Sequence, residues 1–315
     1  MATLATLAPS SLRSPRGVQA WAWATLAFFV IVVLEGAVVR ATSSGAGCGN
    51  HWPLCNGEVL PHHPRLATVI EFTHRSLTGL STLMFAVLIG WTFRATTKGH
   101  PARRASIVAG FLLLLEGALG ALLVKGGYVE KNASAARVIV QGVHFTNTLL
   151  LLGAATVVAI LLGKARSRNL GYLRPALWMG LIATVITGAT GSVAALADTI
   201  FPSPSLSAAI ASDFAASSPL LIRMRWIHPA ASALAVLACI WMVTNLRRNG
   251  DRPLANLLLV NLAAQVVIGT ANVLLLAPTW IQVLHLFGAD VFWITLVALA
   301  VPAFTKPNMA ATATR

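Results

Sequence analysis

The sequence has 315 residues, of which 57% are hydrophobic and 10% are charged, and its mean hydropathy is +0.75. One soluble core cannot bury so much apolar surface, which excludes an ordinary soluble domain and favours a membrane protein. The net charge of +14 raises nucleic-acid binding as an alternative. The basic residues lie between long apolar segments, however, which argues against a nucleic-acid partner.

The apolar segments are long enough to cross a bilayer, which requires roughly 20 mostly apolar residues. Eight windows qualify, near residues 20–40, 68–93, 105–124, 137–162, 174–195, 221–244, 254–276 and 280–303. The sequence therefore predicts an all-α integral membrane protein with eight transmembrane helices. Short tails are predicted at residues 1–18 and 306–315.

Basic residues are concentrated in alternate connections between the spans, and this bias marks the cytoplasmic side. The residues concerned are Arg13, Arg16, Arg94, Lys98, Arg103, Arg104, Lys164, Arg166, Arg168, Arg174, Arg247, Arg248, Arg252, Lys306 and Arg315. We therefore expect a multi-pass protein of the cell membrane, surrounded by lipid, with both termini in the cytoplasm.

Two of the three cysteines, Cys48 and Cys55, share the first outer loop. An oxidising compartment on that side would permit a disulfide bond, which is the favoured interpretation. A redox or metal-binding role for the pair remains open. Cys239 lies inside the sixth span.

The two halves of the sequence repeat a pattern in which a polar residue precedes a histidine by three positions. The four copies are Glu71-Phe-Thr-His74, Gln141-Gly-Val-His144, Arg225-Trp-Ile-His228 and Gln282-Val-Leu-His285, in spans two, four, six and eight. This repeat predicts two pseudo-symmetric four-helix bundles at 19–165 and 170–305.

All four histidines lie about 10 Å below the outer end of their predicted helices, at 1.5 Å per residue. Two facing imidazoles in each bundle can hold a haem iron by its axial positions. A single membrane histidine is often a packing residue, but four at one depth favour haem. Copper or zinc would require all four to converge on one ion.

Ionisable residues within spans are costly and are therefore functional candidates. Glu71, one turn before His74, is the first candidate, and the alternative is a structural ion pair with Arg75. Arg75, Arg225 and Gln282 are candidate contacts for haem propionates. Glu35 and Glu116 are interpreted mainly as hydrogen-bonding residues between helices, and Asp290 is assigned no role.

A longer motif resembles a known family. It runs Glu35-Gly-Ala-Val-Val-Arg-Ala-Thr-Ser-Ser-Gly-Ala-Gly-Cys48-Gly-Asn-His-Trp-Pro-Leu-Cys55-Asn-Gly and is followed by Ile-Glu71-Phe-Thr-His74-Arg75. These residues resemble haem A synthase, in the bacterial subgroup that carries a cysteine pair. The resemblance implies an oxidoreductase that converts haem O to haem A for terminal oxidases.

The resemblance also implies specific roles. His228 and His285 are expected to hold a resident haem b, whereas His74 and His144 frame the haem O substrate beside Glu71. The family's cysteine loop is thought to be a disulfide or an electron relay. Some relatives carry a second pair in the equivalent C-terminal loop, but residues 199–219 contain no cysteine here.

The implied reaction turns a ring methyl into a formyl group by two oxygen insertions, with electrons supplied through the resident haem. Glu71 is expected to handle protons or to orient the substrate. Haem O synthase and the assembly pathway of a terminal oxidase are the expected partners. Two routes for oxygen stay open, dissociation of His74 or His144 and oxidation by another path, as do the electron donor and formation of a homo-oligomer.

Two other functions are compatible with a membrane bundle of this kind. A b-type cytochrome that moves electrons across the membrane generally needs haems near both faces, whereas these four histidines lie near one. A transporter commonly uses interrupted helices near the midplane, which the histidine positions do not favour. The sequence therefore predicts haem-dependent oxidation.

Overall fold

The computed structural model describes residues 15–163 and 169–305, and its regular secondary structure is helical. The helices are α1 Pro15–Ala41, α2 Leu66–Ala95, α3 Pro101–Lys125, α4 Ala135–Leu161, α5 Arg174–Ile200, α6 Leu206–Phe214, α7 Leu220–Arg223, α8 Ile227–Arg248, α9 Arg252–Leu274 and α10 Thr279–Phe304. Residues 1–14 and 306–315 of the predicted tails lie outside the described residues, as do Lys164, Arg166 and Arg168. Residues 15–18 of the predicted N-terminal tail belong to α1.

Eight helical segments among the described residues are long and apolar enough to cross a membrane, with α7 and α8 together forming the sixth. The prediction of eight transmembrane helices is therefore confirmed. Large apolar side chains such as Leu83, Phe111, Leu114 and Val260 are more than 60% exposed on the outside of the assembly. Such an apolar surface suits lipid rather than water.

Local sequence signals explain where several helices begin. His100 accepts a hydrogen bond from the backbone N–H of Ala102 at the start of α3, and Pro101 occupies its first turn. Ser134 caps α4 by accepting from the N–H of Arg137 at 3.3 Å. These side chains satisfy amide groups that have no partner within the helix. The capping residues His100 and Ser134 thereby fix the start of α3 and of α4.

The sixth span is not one continuous helix. After the short α7, the chain turns through residues 224–226, and α8 begins at Ile227. Pro229 lacks the backbone N–H that would continue a helix from Arg225, so it fits the first turn of a new helix. His228 therefore lies in the first turn of α8, although it is eight residues from the start of the sixth span.

Two large apolar clusters form the interior. One is built mainly from α1 to α4 and contains Phe85 and Leu152, and the other is built mainly from α5, α8, α9 and α10 and contains Met242 and Leu246. Trp293 of α10 packs into the first cluster and donates its indole N–H to the carbonyl oxygen of Leu149 at 2.7 Å. A direct seam between α4 and α10 thus joins the two groups of helices.

Candidate functional site

A cavity of about 1370 Å³ opens among the helices, and all four span histidines contribute to its lining. A typical small-molecule pocket measures roughly 300–1,000 Å³, so this cavity exceeds what one ordinary ligand requires. Each histidine lies six to nine residues from the first residue of its span. His74, His144, His228 and His285 are therefore brought to the same end of the helix assembly, on the side of the Cys48–Cys55 loop.

Each histidine ring lies against a glycine of the preceding span. A β-carbon added to the glycine would lie close to the Cε1 atom of the ring. The distances are 3.0 Å for Gly36 and His74, 3.9 Å for Gly120 and His144, 2.9 Å for Gly191 and His228, and 2.9 Å for Gly269 and His285. At three of these positions, any residue larger than glycine would displace the imidazole.

The glycine contacts also show which residues of the third and seventh spans correspond to each other. The third span contains two glycines, Gly117 and Gly120, that could correspond to Gly269 of the seventh span. In the structure it is Gly120 that contacts its histidine, as Gly269 does, while a β-carbon at Gly117 would face open space. The two glycines are three residues apart, nearly one helical turn, so the sequence alone offered both as candidates.

The ring nitrogens are arranged for ligation through Nε2. His228 donates its Nδ1 proton to the carbonyl oxygen of Thr187 at 3.0 Å, which leaves the Nε2 lone pair free. The ring centroids of His228 and His285 are 6.3 Å apart. Nδ1 of His74, His144 and His285 is buried without a hydrogen-bond partner. These imidazoles fit the axial ligands of a haem.

The same geometry bears on the alternative of a copper or zinc ion held by all four histidines. Across residues 15–163 and 169–305, no three histidine, cysteine or acidic side chains come together as a metal-binding group. The four imidazoles therefore do not converge on one point. Separate pairs remain the arrangement that the contacts support.

Cys48 and Cys55 form a disulfide, as predicted, and both are almost completely buried. The loop that they close is fastened to α2. The Thr68 hydroxyl donates to the carbonyl oxygen of Gly47 at 2.7 Å, and a β-carbon at Gly47 would lie 2.2 Å from the carbonyl oxygen of Ala67. Only a glycine permits this approach of loop and helix.

Glu71 and Arg75 strengthen the same attachment. Glu71 is 3% exposed, accepts from the N–H of Cys48 at 2.7 Å and pairs with the Arg75 guanidinium. Arg75 also donates to the carbonyl oxygens of His51 at 2.6 Å and Leu54 at 2.7 Å. The structural ion pair weighed against a catalytic role is thus present, and Glu71 nonetheless lines the cavity.

The other two candidate propionate contacts also have protein partners. Arg225 donates to Asp213 at 2.7 Å, to Asp198 at 3.0 Å and to Ser212 at 3.0 Å, which ties α6 to the sixth span. Gln282 accepts from Arg40 at 2.7 Å. Both residues line the cavity, so contact with propionates stays a prediction.

Arg40, at the end of the first predicted span, is a further residue that lines the cavity. It belongs to α1 and donates to the carbonyl oxygen of Ala195 and the hydroxyl of Thr199, both at 2.7 Å, as well as to Gln282. It therefore joins α1 to α5 and α10. Its position inside the family-like motif after Glu35 was the available signal.

Comparison with known proteins identifies the family. The model of the family described as "COX15-CtaA: Cytochrome oxidase assembly protein" matches residues 19–297. A relative from Thermus thermophilus named Protoheme IX farnesyltransferase is 41% identical over 293 residues, covering 91% of this chain and 48% of the relative.

Proteins named Heme A synthase match over shorter segments. The one from Alkalihalophilus pseudofirmus is 37% identical over 132 residues, covering 42% of each chain. The one from Exiguobacterium sibiricum is 31% identical over 168 residues, covering 52% of this chain and 54% of that one. The chain spans about half the length of these curated relatives. Because the family model matches most of the sequence, the chain belongs to the COX15-CtaA family of cytochrome oxidase assembly proteins.

Proposed function

We propose that this protein is a haem A synthase, an oxidoreductase that converts haem O to haem A. The observation that carries the proposal is the set of four histidines that lie against glycines and border one cavity. Membership of the COX15-CtaA family and the relatives named Heme A synthase support the same reaction.

We assign the resident haem b to His228 and His285. Their ring separation of 6.3 Å and the Thr187 hydrogen bond on His228 suit two imidazoles that would hold the haem iron between them. His74 and His144 would frame the haem O substrate, because Glu71 and Glu116 place carboxylates beside this pair. At the N-terminal site a carboxylate, Glu116, lies 3.5 Å from a histidine ring nitrogen, whereas the carboxylates near His228, Asp198 and Asp213, both accept from Arg225.

The proposed reaction removes four electrons from one ring methyl. Insertion of one atom of O2 into a C–H bond gives a hydroxymethyl group and removes two electrons from the carbon, and the other oxygen atom leaves as water with two protons and two electrons from an external donor. A second insertion removes two more and gives a gem-diol, which loses water to form the formyl group. Haem iron supplies the oxygen and electron-transfer chemistry when bound.

The contribution of the chain is to position the substrate and to handle protons. Glu71 faces the cavity and keeps hydrogen bonds to Cys48 and Arg75, so its carboxylate has a fixed position one turn from His74. We assign it proton handling or substrate orientation. Glu71 is only 3% exposed, so bulk water has little access to this carboxylate.

We place the site towards the outer face of the cell membrane, with both termini in the cytoplasm, from the distribution of basic residues. Haem O synthase would supply the substrate and a terminal oxidase would receive the product. The relative named Protoheme IX farnesyltransferase matches over 48% of its length and supports a link to that step.

Product analysis tests the proposal. The chain is co-expressed with haem O synthase in a host that makes no haem A, and extracted haems are identified by mass. Haem A or its hydroxymethyl intermediate is expected, and an exposed-loop variant, His62→Ala, should behave as the wild type. Haem O as the sole modified haem would overturn the proposal. Farnesylation without haem O synthase would indicate prenyl transfer instead.

A further inference from the structure

Glu116 is an intramembrane carboxylate whose surroundings point to a task at the N-terminal site. It extends from α3 towards α4, where Oε2 accepts from the Asn147 amide at 2.6 Å and Oε1 accepts from the Thr148 hydroxyl. Both partners are buried. Two donors thus hold the carboxylate in one orientation at the interface of the two helices.

The carboxylate held in this way stands beside His144. Oε1 of Glu116 is 3.5 Å from His144 Nδ1, and that nitrogen is buried without a hydrogen-bond partner. A charge-assisted N–H···O bond measures about 2.7–2.9 Å, so a displacement of less than an ångström completes it. An Nδ1 proton directed at Glu116 leaves Nε2 as the free ligand atom.

The three other span histidines lack this arrangement. His228 donates to a neutral backbone carbonyl, and Nδ1 of His74 and His285 has no hydrogen-bond partner. Counting four residues back from the histidine-contacting glycines Gly120 and Gly269 gives Glu116 in α3 and Gln265 in α9. The Gln265 amide donates to the backbone carbonyl of His285 at 3.3 Å rather than to its ring.

We infer that Glu116 is a positioning residue that makes His144 the permanent axial ligand of the N-terminal haem, leaving His74 as the exchangeable one. A carboxylate on Nδ1–H orients an imidazole and increases its electron donation to iron, whereas a ring without such a partner is held less firmly. The inference rests on the proposed function, because it concerns the haem assigned to His74 and His144. His74 is then the ligand that would dissociate when another molecule binds to the iron.

The test uses single-ligand variants loaded with protohaem as the probe. In His74→Ala the N-terminal haem is held by His144, and in His144→Ala by His74. The ferrous Fe–His stretching frequency is read by resonance Raman spectroscopy in each background, with and without Glu116→Gln. A bis-histidine resident haem gives no five-coordinate signal, and its unchanged absorption spectrum reports intact folding.

We expect Glu116→Gln to lower the Fe–His frequency in the His74→Ala background and to leave it unchanged in the His144→Ala background. Protohaem affinity at this site should fall about 10–100-fold in the first background, as for other outer-shell partners of metal ligands. Glu116→Asp should restore part of the frequency. Gln265→Ala is the matched control and should leave this signal unchanged.

Equal frequencies with and without Glu116→Gln in the His74→Ala background would overturn the inference, as would an equal fall in both backgrounds. The outcome is separable from that of the proposed function. Protohaem loading reports on Glu116 even in a protein that forms no haem A. Conversely, the wild type could form haem A while Glu116→Gln leaves the Fe–His frequency of the His74→Ala background unchanged. That result would overturn the inference about Glu116 and leave the proposed function intact.

Discussion

The two histidine pairs are packed in the same way but differ in the residues that surround them. In both, each imidazole lies against a glycine of the preceding span. Around His74 and His144 stand two carboxylates, Glu71 and Glu116, and a disulfide loop fastened to α2. The His228 ring donates to a backbone carbonyl, and the nearby carboxylates Asp198 and Asp213 are both bonded to Arg225 rather than to a histidine ring.

This difference is the one expected between a site that only binds a haem and a site that also modifies one. A pair of imidazoles with a neutral partner suffices to keep a cofactor in place. Carboxylates inside a membrane protein are costly to bury and are retained where protons or ligands must be managed. The contrast therefore supports a resident haem in the C-terminal half and a substrate in the N-terminal half.

Removal of one C-terminal ligand should have the largest effect. His285→Ala is expected to lose the resident haem and all haem A formation, whereas His74→Ala should keep the resident haem and lose product. The loss should exceed the roughly 10–100-fold penalty of removing an outer-shell partner. Haem content of purified protein and product mass provide the measurement. Equal haem loss in the two variants would abolish the distinction between the sites.

Replacement of Glu71 should be next in size. Glu71→Gln is expected to lower haem A formation by roughly 100–10,000-fold, the usual contribution of a general acid or base. The glutamine amide oxygen can still accept from the N–H of Cys48, so reduction of the disulfide by a membrane-impermeant thiol should keep its rate. Arg75→Ala should accelerate that reduction, because it removes the bonds to His51 and Leu54.

Full haem A formation by Glu71→Gln would show that Glu71 serves only as an anchor of the loop. The ion pair with Arg75 would then be its whole role, and the N-terminal site would have to manage protons through another group. Accelerated disulfide reduction in Glu71→Gln would point to the same structural interpretation.

The glycines behind the histidines should show a graded response. Gly191→Ala puts a carbon 2.9 Å from His228 Cε1, and overpacking of this kind costs about 1–3 kcal/mol, or roughly 5–150-fold in haem affinity. Gly120→Ala, at 3.9 Å from His144, makes an ordinary contact and should be tolerated. Gly142→Ala in α4, where a β-carbon meets nothing within 4 Å, is the control. Haem titration measures the three affinities, and equal values would refute the close-packing argument.

Hydropathy and motif spacing predicted the spans and the histidines because both depend on local composition. The eight windows match eight spanning segments, and the four histidines do line one cavity. The disulfide was also predicted, since Cys48 and Cys55 share a short loop. These features need no knowledge of how distant helices pack.

Features that depend on packing were missed. Arg40 was not singled out as a site residue, because its bonds to α5 and α10 arise only from the packing of α1 against those helices. The break before His228 follows from Pro229, which cannot donate a backbone hydrogen bond, and a hydropathy window does not register such a break. Proximity of Glu116 to His144 arises from the pairing of α3 and α4, which one sequence does not specify.

An effect on stability rather than on haem chemistry is expected at Asp290, five residues beyond His285. It is fully buried, and neither carboxylate oxygen has a hydrogen-bond partner. The position five residues beyond His144 is occupied by Leu149, so Asp290→Leu gives the C-terminal half the apolar residue of its counterpart. Relief of an unsatisfied buried polar group should stabilise the fold by about 1–3 kcal/mol.

The measurement is thermal unfolding of the purified protein in detergent, followed by helical circular dichroism and by the absorption of the resident haem. Asp290→Leu should raise the midpoint and leave the haem spectrum unchanged, and Asp290→Asn serves as the matched polar control. A lower midpoint in Asp290→Leu together with haem loss would show that the carboxyl contributes to the C-terminal site. In that case each half would contain a carboxyl group that contributes to its haem site. The contrast between a C-terminal site that only binds a haem and an N-terminal site that also modifies one would then be weaker.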